Sequence, residues 1–213
     1  MPHAIQIHDQ GAPDVMKWVE VPDLQPGPGE ALLRQTAVGL NYIDVYQRSG
    51  GYKLDLPSCI GMEGVGIVDA IGEGVEGVQV GDRVGYVMGP PGSYAEQRVY
   101  PAERLIPLPE DVSDTQAAGM LLKGLTVSYL IHRTFNPQAG DTVLFHAAAG
   151  GVGMIACQWL KQRGVTVIGT VGSDEKAEIA KNYGCDHPII YTRENFSERV
   201  MELTDGEGVP VVY

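Results

Sequence analysis

Cysteine is scarce in this chain, and the three present stand far apart. Cys59, Cys157 and Cys185 form neither the dense framework of a disulfide-stapled secreted domain nor the close pairs of a metal site. They read as small hydrophobes. Positive charge is also in deficit. Against 27 Asp and Glu there are 15 Lys and Arg, a formal net charge of −12, which argues against a nucleic-acid partner, since phosphate binding needs clustered cations. No apolar run approaches the roughly 20 residues that cross a bilayer, so no membrane partner is expected. The opening Met1-Pro2-His3-Ala4-Ile5 lacks the basic and apolar regions of a secretory signal. There is no internal repeat and no low-complexity tract. With 44% hydrophobic and 20% charged residues, the expectation is an ordinary globular protein of the cytoplasm.

The texture changes along the chain. Residues 1–112 carry short apolar runs, such as Glu30-Ala31-Leu32-Leu33-Arg34 and Gly64-Val65-Gly66-Ile67-Val68, separated by Pro26-Gly27-Pro28-Gly29, Gly81-Asp82 and Gly89-Pro90-Pro91-Gly92. This pattern predicts short strands and turns in a mostly β unit, a compact barrel. From Ser113 the pattern becomes helical: Ser113 with Gln116 resembles a capping box, and Val127, Leu130 and Ile131 continue one face. Beyond Pro137 strands and helices alternate. The periodicity predicts strands over 142–146, 165–171 and 187–191, helices over 152–163, 174–183 and 195–204, and a further strand from 209. Such alternation implies a parallel sheet.

The most informative stretch is Thr142-Val143-Leu144-Phe145-His146-Ala147-Ala148-Ala149-Gly150-Gly151-Val152-Gly153. A β-branched and aromatic run breaks into Ala and Gly, and a helical pattern starts at once. The usual G-x-G-x-x-G fingerprint appears here as Ala148-Ala149-Gly150-Gly151-Val152-Gly153, with Ala in the first glycine position. Amides at a helix N-terminus suit a pyrophosphate, so Ala148, Gly150, Gly151, Val152 and Gly153 are expected at a dinucleotide. The competing reading is that these glycines only allow close helix–strand packing, which the third does in either case.

An NAD site places an acid about 20 residues further on, at the end of the second strand. Here that strand ends in Gly172-Ser173, with Lys176 nearby. Small groups leave room for a phosphate and Lys176 can pair with it, so NADPH is the expected cofactor. Asp174 and Glu175 weigh against this, unless they serve only the first turn of a helix. The chain stops inside an apparent core strand, Val209-Pro210-Val211-Val212-Tyr213, and the expectation is a fragment or a half-fold completed by another chain.

Five segments are distinctive in order and spacing: Val38-Gly39-Leu40-Asn41-Tyr42-Ile43-Asp44-Val45-Tyr46, Gly61-Met62-Glu63-Gly64-Val65-Gly66, Gly81-Asp82-Arg83-Val84, Leu121-Leu122-Lys123-Gly124-Leu125-Thr126 and His146 through Gly153. Together they resemble the medium-chain dehydrogenase/reductase superfamily, and within it the zinc-free quinone oxidoreductases related to zeta-crystallin. The resemblance implies a fold of class α/β plus β. A GroES-like β-barrel domain (1–120) would be followed by a truncated Rossmann-type parallel-sheet domain (121–213), with the active site between them.

Where the zinc-dependent branch has a Cys and a His ligand, this chain has Asn41 and Met62. A carboxamide and a thioether do not replace thiolate and imidazole, so no zinc is expected. The resemblance implies metal-free hydride transfer from NADPH to a small quinone, with Asn41, Tyr46 and Tyr52 on the substrate side. Thr126 would sit by the nicotinamide and Tyr191 beside the adenosine phosphate, and a homodimer is implied for the full-length protein. Lys123 either neutralises cofactor charge or is a solvated lysine at a helix start. Asp44 either joins the site or makes a turn. Glu63 reads as a structural partner for a buried polar group, His146 as a satisfied core or loop histidine, and Tyr42 as a packing residue. Two alternatives stay open: an enoyl or alkenal reductase of the same superfamily, and a non-catalytic NADPH-binding fragment.

Overall fold

Glu30-Ala31-Leu32-Leu33-Arg34 opens the longest strand of the first unit. In the computed structural model, which describes residues 1–213, the chain divides into two units, Met1–Leu122 and Lys123–Tyr213. The first unit begins with β1 (His3–Ile7), β2 (Lys17–Glu20) and β3 (Glu30–Val38), followed by α1 (Tyr42–Ser49). The strands β4 (Ser58–Cys59), β5 (Glu63–Ile71), β6 (Arg83–Val87), β7 (Gln97–Pro101) and β8 (Ile106–Pro107) complete it. They make two antiparallel sheets, ordered β2-β1-β4 and β7-β3-β5-β6-β8, and an Ala4–Ala95 bridge ties β1 to the segment before β7. Register shifts between Leu32 and Leu33 and between Gln35 and Ala37 mark bulges in the β3–β5 pairing, which bend and twist the strands.

The larger sheet packs Ala31, Leu33, Val68, Val84, Tyr86 and Tyr100 into one core. Arg98 is buried with them. Its charge is tolerated because the guanidinium lies 4.6 Å and 4.8 Å from the Tyr86 and Tyr100 ring centroids and donates to Ser93 Oγ at 2.8 Å. The other face, at Val65, meets Ala117 and Ala118.

Those two alanines belong to α2 (Asp114–Tyr129), which starts where the Ser113–Gln116 spacing indicates. Gln116 Oε1 accepts from the Ser113 N–H at 3.0 Å, and Ser113 Oγ accepts from the Gln116 N–H at 3.3 Å. The helix runs unbroken through residues 120 and 121, then widens into one π-helical turn over Leu130–Thr134. The change of unit therefore lies inside a helix, without the Gly/Pro linker that usually signals a boundary.

The second unit contains β9 (Thr142–Phe145), α3 (Gly151–Gln162), β10 (Thr166–Val171), α4 (Asp174–Asn182), β11 (His187–Ile190) and α5 (Phe196–Leu203). The sheet is parallel, ordered β11-β10-β9. Val143, Phe145, Val167 and Val171 pack with Ala156, Cys157 and Leu160 of α3. Leu144, Ile168 and Ile189 pack with Val200 of α5. Alternate side chains thus serve opposite faces, both covered, as a parallel sheet requires.

The terminal residues are held rather than loose. The Leu144 N–H donates to Val211 O, the Tyr213 N–H to Leu144 O at 2.9 Å, and the His146 N–H to Tyr213 O at 2.8 Å. The strand expected from 209 is reduced to a single parallel bridge, Val212 to Leu144, on the open side of β9. The resulting order places two neighbours on opposite sides of β9, which is the switch point of a doubly wound sheet.

Candidate functional site

The glycine turn follows β9 at that switch point. Gly150 caps α3 in extended conformation, and Gly151, Val152 and Gly153 form its first turn, whose amides lack acceptors within the helix. Gly153 is buried, and a Cβ there would strike Ala147 O and lie 2.7 Å from Ala148 Cα and O. Its role is close packing of helix against turn. At Gly151 a Cβ would meet the Lys123 stem, at 2.9 Å from Cδ and 3.0 Å from Cε, so Lys123 lies along the turn.

Ala148 faces inward. It is fully buried, its N–H donates to Thr170 O at 3.1 Å, and it abuts Gly169. The residues bared by the turn are its neighbours Ala147 and Ala149. Ala147, with φ of 53°, takes a left-handed conformation that ordinarily favours glycine.

A cavity of about 500 Å³ opens beside this turn. It is lined by His146, Ala147, Ala149, Gly150, Gly172 and Lys176, among others, with Tyr191 and Phe196 opposite. The structure thus brings together four expected residues distant in sequence: Gly150, Gly172, Lys176 and Tyr191. A Cβ at Gly172 would lie 3.0 Å from the Tyr191 hydroxyl, so a larger residue there would push that ring tip by a few tenths of an ångström. Ser173 stands next to it as the cap of α4, its Oγ accepting from the Lys176 N–H at 3.3 Å. Thr126, on α2, is half-buried and is not part of the cavity wall.

His146 is exposed and takes the loop rather than the core place of the two expected. Its Nδ1 lies 2.9 Å from Thr170 Oγ1, and its ring meets Phe196 edge-on at 5.2 Å. Neither His146 nor Phe196 was identified as wall-forming from sequence. The alternation along β9 and the turn after it was the available signal for His146. Nothing local marked Phe196, which arrives from α5.

In the first unit, α1 is inverted relative to an ordinary surface helix. It buries Asp44 and Gln47 and exposes Tyr42 and Tyr46. Tyr42, expected to pack, is 71% exposed because it shares the outer face with Tyr46 at i,i+4 spacing. The Tyr42–Tyr46 and Tyr46–Tyr52 centroids lie 5.1 Å and 5.3 Å apart in edge-to-face contact. Gln10 fixes the loop that carries Tyr52, its Nε2 donating to the Gln47 and Tyr52 carbonyls at 2.7 Å each.

Beneath the tyrosines lies a buried polar network. Asn41 Nδ2 donates to Glu63 Oε2 at 2.7 Å, and Glu63 Oε1 accepts from the Leu122 N–H at 2.7 Å. Asp44 Oδ2 accepts from the Asn41 N–H at 2.9 Å and from the Tyr94 hydroxyl at 2.7 Å. Burial, followed by that hydrogen bond to Asp44, holds the Tyr94 phenol above its ordinary pKa. Glu63 is thus the structural partner the sequence suggested, and Asn41 and Asp44 make the turn into α1. Met62 is buried, its thioether accepting from Gln47 Nε2 at 3.5 Å. No three His, Cys, Asp or Glu side chains cluster as a metal-binding group, and no helix is long and apolar enough to cross a membrane.

A bulged antiparallel β unit, followed by a parallel sheet with a glycine turn at its switch point, defines the class of dehydrogenase with a GroES-like domain ahead of a nucleotide-binding domain. The comparisons agree: residues 27–110 match the alcohol dehydrogenase GroES-like domain and residues 151–213 the zinc-binding dehydrogenase domain. The chain belongs to the medium-chain dehydrogenase/reductase superfamily.

Among its relatives, a quinone oxidoreductase of Pseudomonas aeruginosa is 49% identical over 100% of this chain and 66% of its own length. A 2-haloacrylate reductase of a Burkholderia species is 46% identical over 99% and 65%. The crystal structure of Escherichia coli quinone oxidoreductase complexed with NADPH superposes with a TM-score of 0.97 at 43% identity, over 99% of this chain and 65% of that one. The chain therefore spans about two thirds of the length of these relatives.

Proposed function

We propose that the protein is an NADPH-dependent reductase of quinones that works without a metal. The observation that carries this reading is the 500 Å³ cavity, where the glycine turn, Gly172, Lys176 and Tyr191 converge at the end of β10. The residues fit a phosphorylated dinucleotide. The first turn of α3 offers amides to a pyrophosphate. Gly172 and Ser173 leave space at the strand end, Lys176 brings a cation for a 2′-phosphate, and Tyr191 offers a flat face to the adenosine. When bound, NADPH supplies the hydride.

For the acceptor, Tyr46 and Tyr52 present exposed aromatic faces with hydroxyls, suited to a flat polar ring. Asn41 starts the helix that carries Tyr46 and, through Glu63, holds that helix start in place. Asn41 and Met62, standing where the zinc-dependent branch has its ligands, form a donor set that does not favour zinc.

Calorimetric titration with NADPH and NADH tests the cofactor assignment. NADPH is expected to bind at least about tenfold tighter. Lys176→Ala is expected to remove about tenfold from NADPH affinity, the scale of one charge-assisted contact, and to leave NADH unchanged. Equal affinities for the two cofactors would refute the assignment.

A second reading, hydride delivery to an activated C=C bond, is favoured by the 46% identity to a 2-haloacrylate reductase. Oxidation of NADPH by a small benzoquinone, compared with that by an α,β-unsaturated acid, decides between the two. Faster turnover of the unsaturated acid would replace the quinone reading.

A further inference from the structure

Ser173 and Lys176 flank two carboxylates, Asp174 and Glu175, and a carboxylate at this place opposes a phosphate. Glu175 lies in the first turn of α4, where the helix dipole favours it. Asp174 is engaged elsewhere. Its Oδ2 accepts from Arg193 Nη1 at 2.9 Å and its Oδ1 from Arg193 Nη2 at 2.6 Å, a two-point fork of the kind that gives guanidinium–carboxylate pairs their directionality. That hydrogen bonding holds the Asp174 carboxyl below the usual carboxylate range.

Asp174 and Arg193 line a separate groove, while Lys176, two residues from Asp174, and Tyr191, two residues from Arg193, line the cofactor cavity. Arg193 is delivered by the turn after β11, which is fastened to the turn after β10. The Tyr191 N–H donates to Val171 O at 3.1 Å, and Thr192 Oγ1 donates to Gly172 O at 3.3 Å. One turn therefore sets Tyr191 inside the cavity and Arg193 just outside it.

We propose that Arg193 determines cofactor specificity. By holding Asp174 in a two-point pair, it cancels the carboxylate that would repel a 2′-phosphate and keeps that carboxylate from the 2′-hydroxyl of NADH. The inference rests on the NADPH reading above. The physical basis is that a free Asp or Glu just past this strand is what accepts from the ribose 2′-hydroxyl in NAD sites, whereas beside a phosphate the same charge is repulsive. The pair is exposed, at 58% for Arg193 and 76% for Asp174, so it contributes little to folding and its removal leaves a folded chain. Solvent and salt reduce the through-space effect to a severalfold change.

The test is calorimetric titration of the intact chain and of Arg193→Ala, Asp174→Asn and the double variant with NADPH and with NADH. Arg193→Ala is expected to weaken NADPH binding about three- to tenfold, with NADH binding unchanged or tighter. Adding Asp174→Asn to Arg193→Ala is expected to restore NADPH affinity to within about twofold of the unsubstituted chain, because the repulsive charge is gone. Equal weakening of both cofactors, without rescue by Asp174→Asn, would show that Arg193 only holds the Tyr191 turn, and would overturn the proposal. A preserved NADPH preference with an unchanged ratio in Arg193→Ala would overturn it alone. An unsubstituted chain that binds the two cofactors equally would overturn the NADPH reading and this inference with it.

Discussion

Glu63→Ala is expected to destabilise the first unit by about 2–6 kcal/mol, from the loss of two buried hydrogen bonds to a carboxylate at roughly 1–3 kcal/mol each. Glu63 is fully buried. One carboxylate oxygen accepts from Asn41 Nδ2 and the other from the Leu122 N–H, each at 2.7 Å. Alanine offers no acceptor. The segment around it has no slack: a Cβ on Gly39 would strike both the Glu63 carboxylate and Ala118 O. Glu63→Gln keeps the shape and one acceptor but turns an NH₂ toward a donor, so its loss is expected to be smaller, about half. Urea unfolding of the three proteins, compared by midpoint at constant slope, measures this. A Glu63→Ala loss below about 1 kcal/mol would mean that the network is not what holds α1 to α2.

Gly153→Val is expected to cost about 3 kcal/mol or more and to weaken NADPH binding by more than about tenfold. The new side chain would run into Ala147 O and the Ala148 backbone. Backbone cannot rotate aside as a side chain does, so the turn that shapes the cavity would have to open. Gly151→Ala supplies the contrast. Its Cβ meets only the Lys123 stem, which is flexible, so a stability change within about 0.5 kcal/mol is expected. Thermal unfolding and NADPH titration of both variants provide the check. If Gly151→Ala proved the more damaging, the packing role assigned to Gly153 would fail.

Much of the second unit was legible in the sequence. The helix expected over 174–183 is Asp174–Asn182, and the strand expected over 165–171 is Thr166–Val171. Side-chain periodicity and caps such as Ser173 act within a few residues and can be read locally. The glycine turn was legible for the same reason, although its left-handed residue is Ala147 and its inward alanine is Ala148. Composition does not distinguish three consecutive alanines; only the path of the chain through the turn does.

The outward face of α1 was misread at Tyr42. Periodicity shows that Tyr42 and Tyr46 share a face but not which face is buried, and here the buried face carries Asp44 and Gln47. That inversion depends on Glu63 and Tyr94, which approach Asn41 and Asp44 from positions 22 and 50 residues further along the chain.

The alternating strands and helices of the second unit, the glycine turn and the absence of an acid at the end of β10 are each written in neighbouring residues, so a local reading reaches them. Which distant groups meet depends on the folded chain: His146 with Phe196, Glu63 with Leu122, and Asp174 with Arg193. Sheet order and crossover connections bring those segments together, and the hydrogen bonds and ring contacts that result have no local signature.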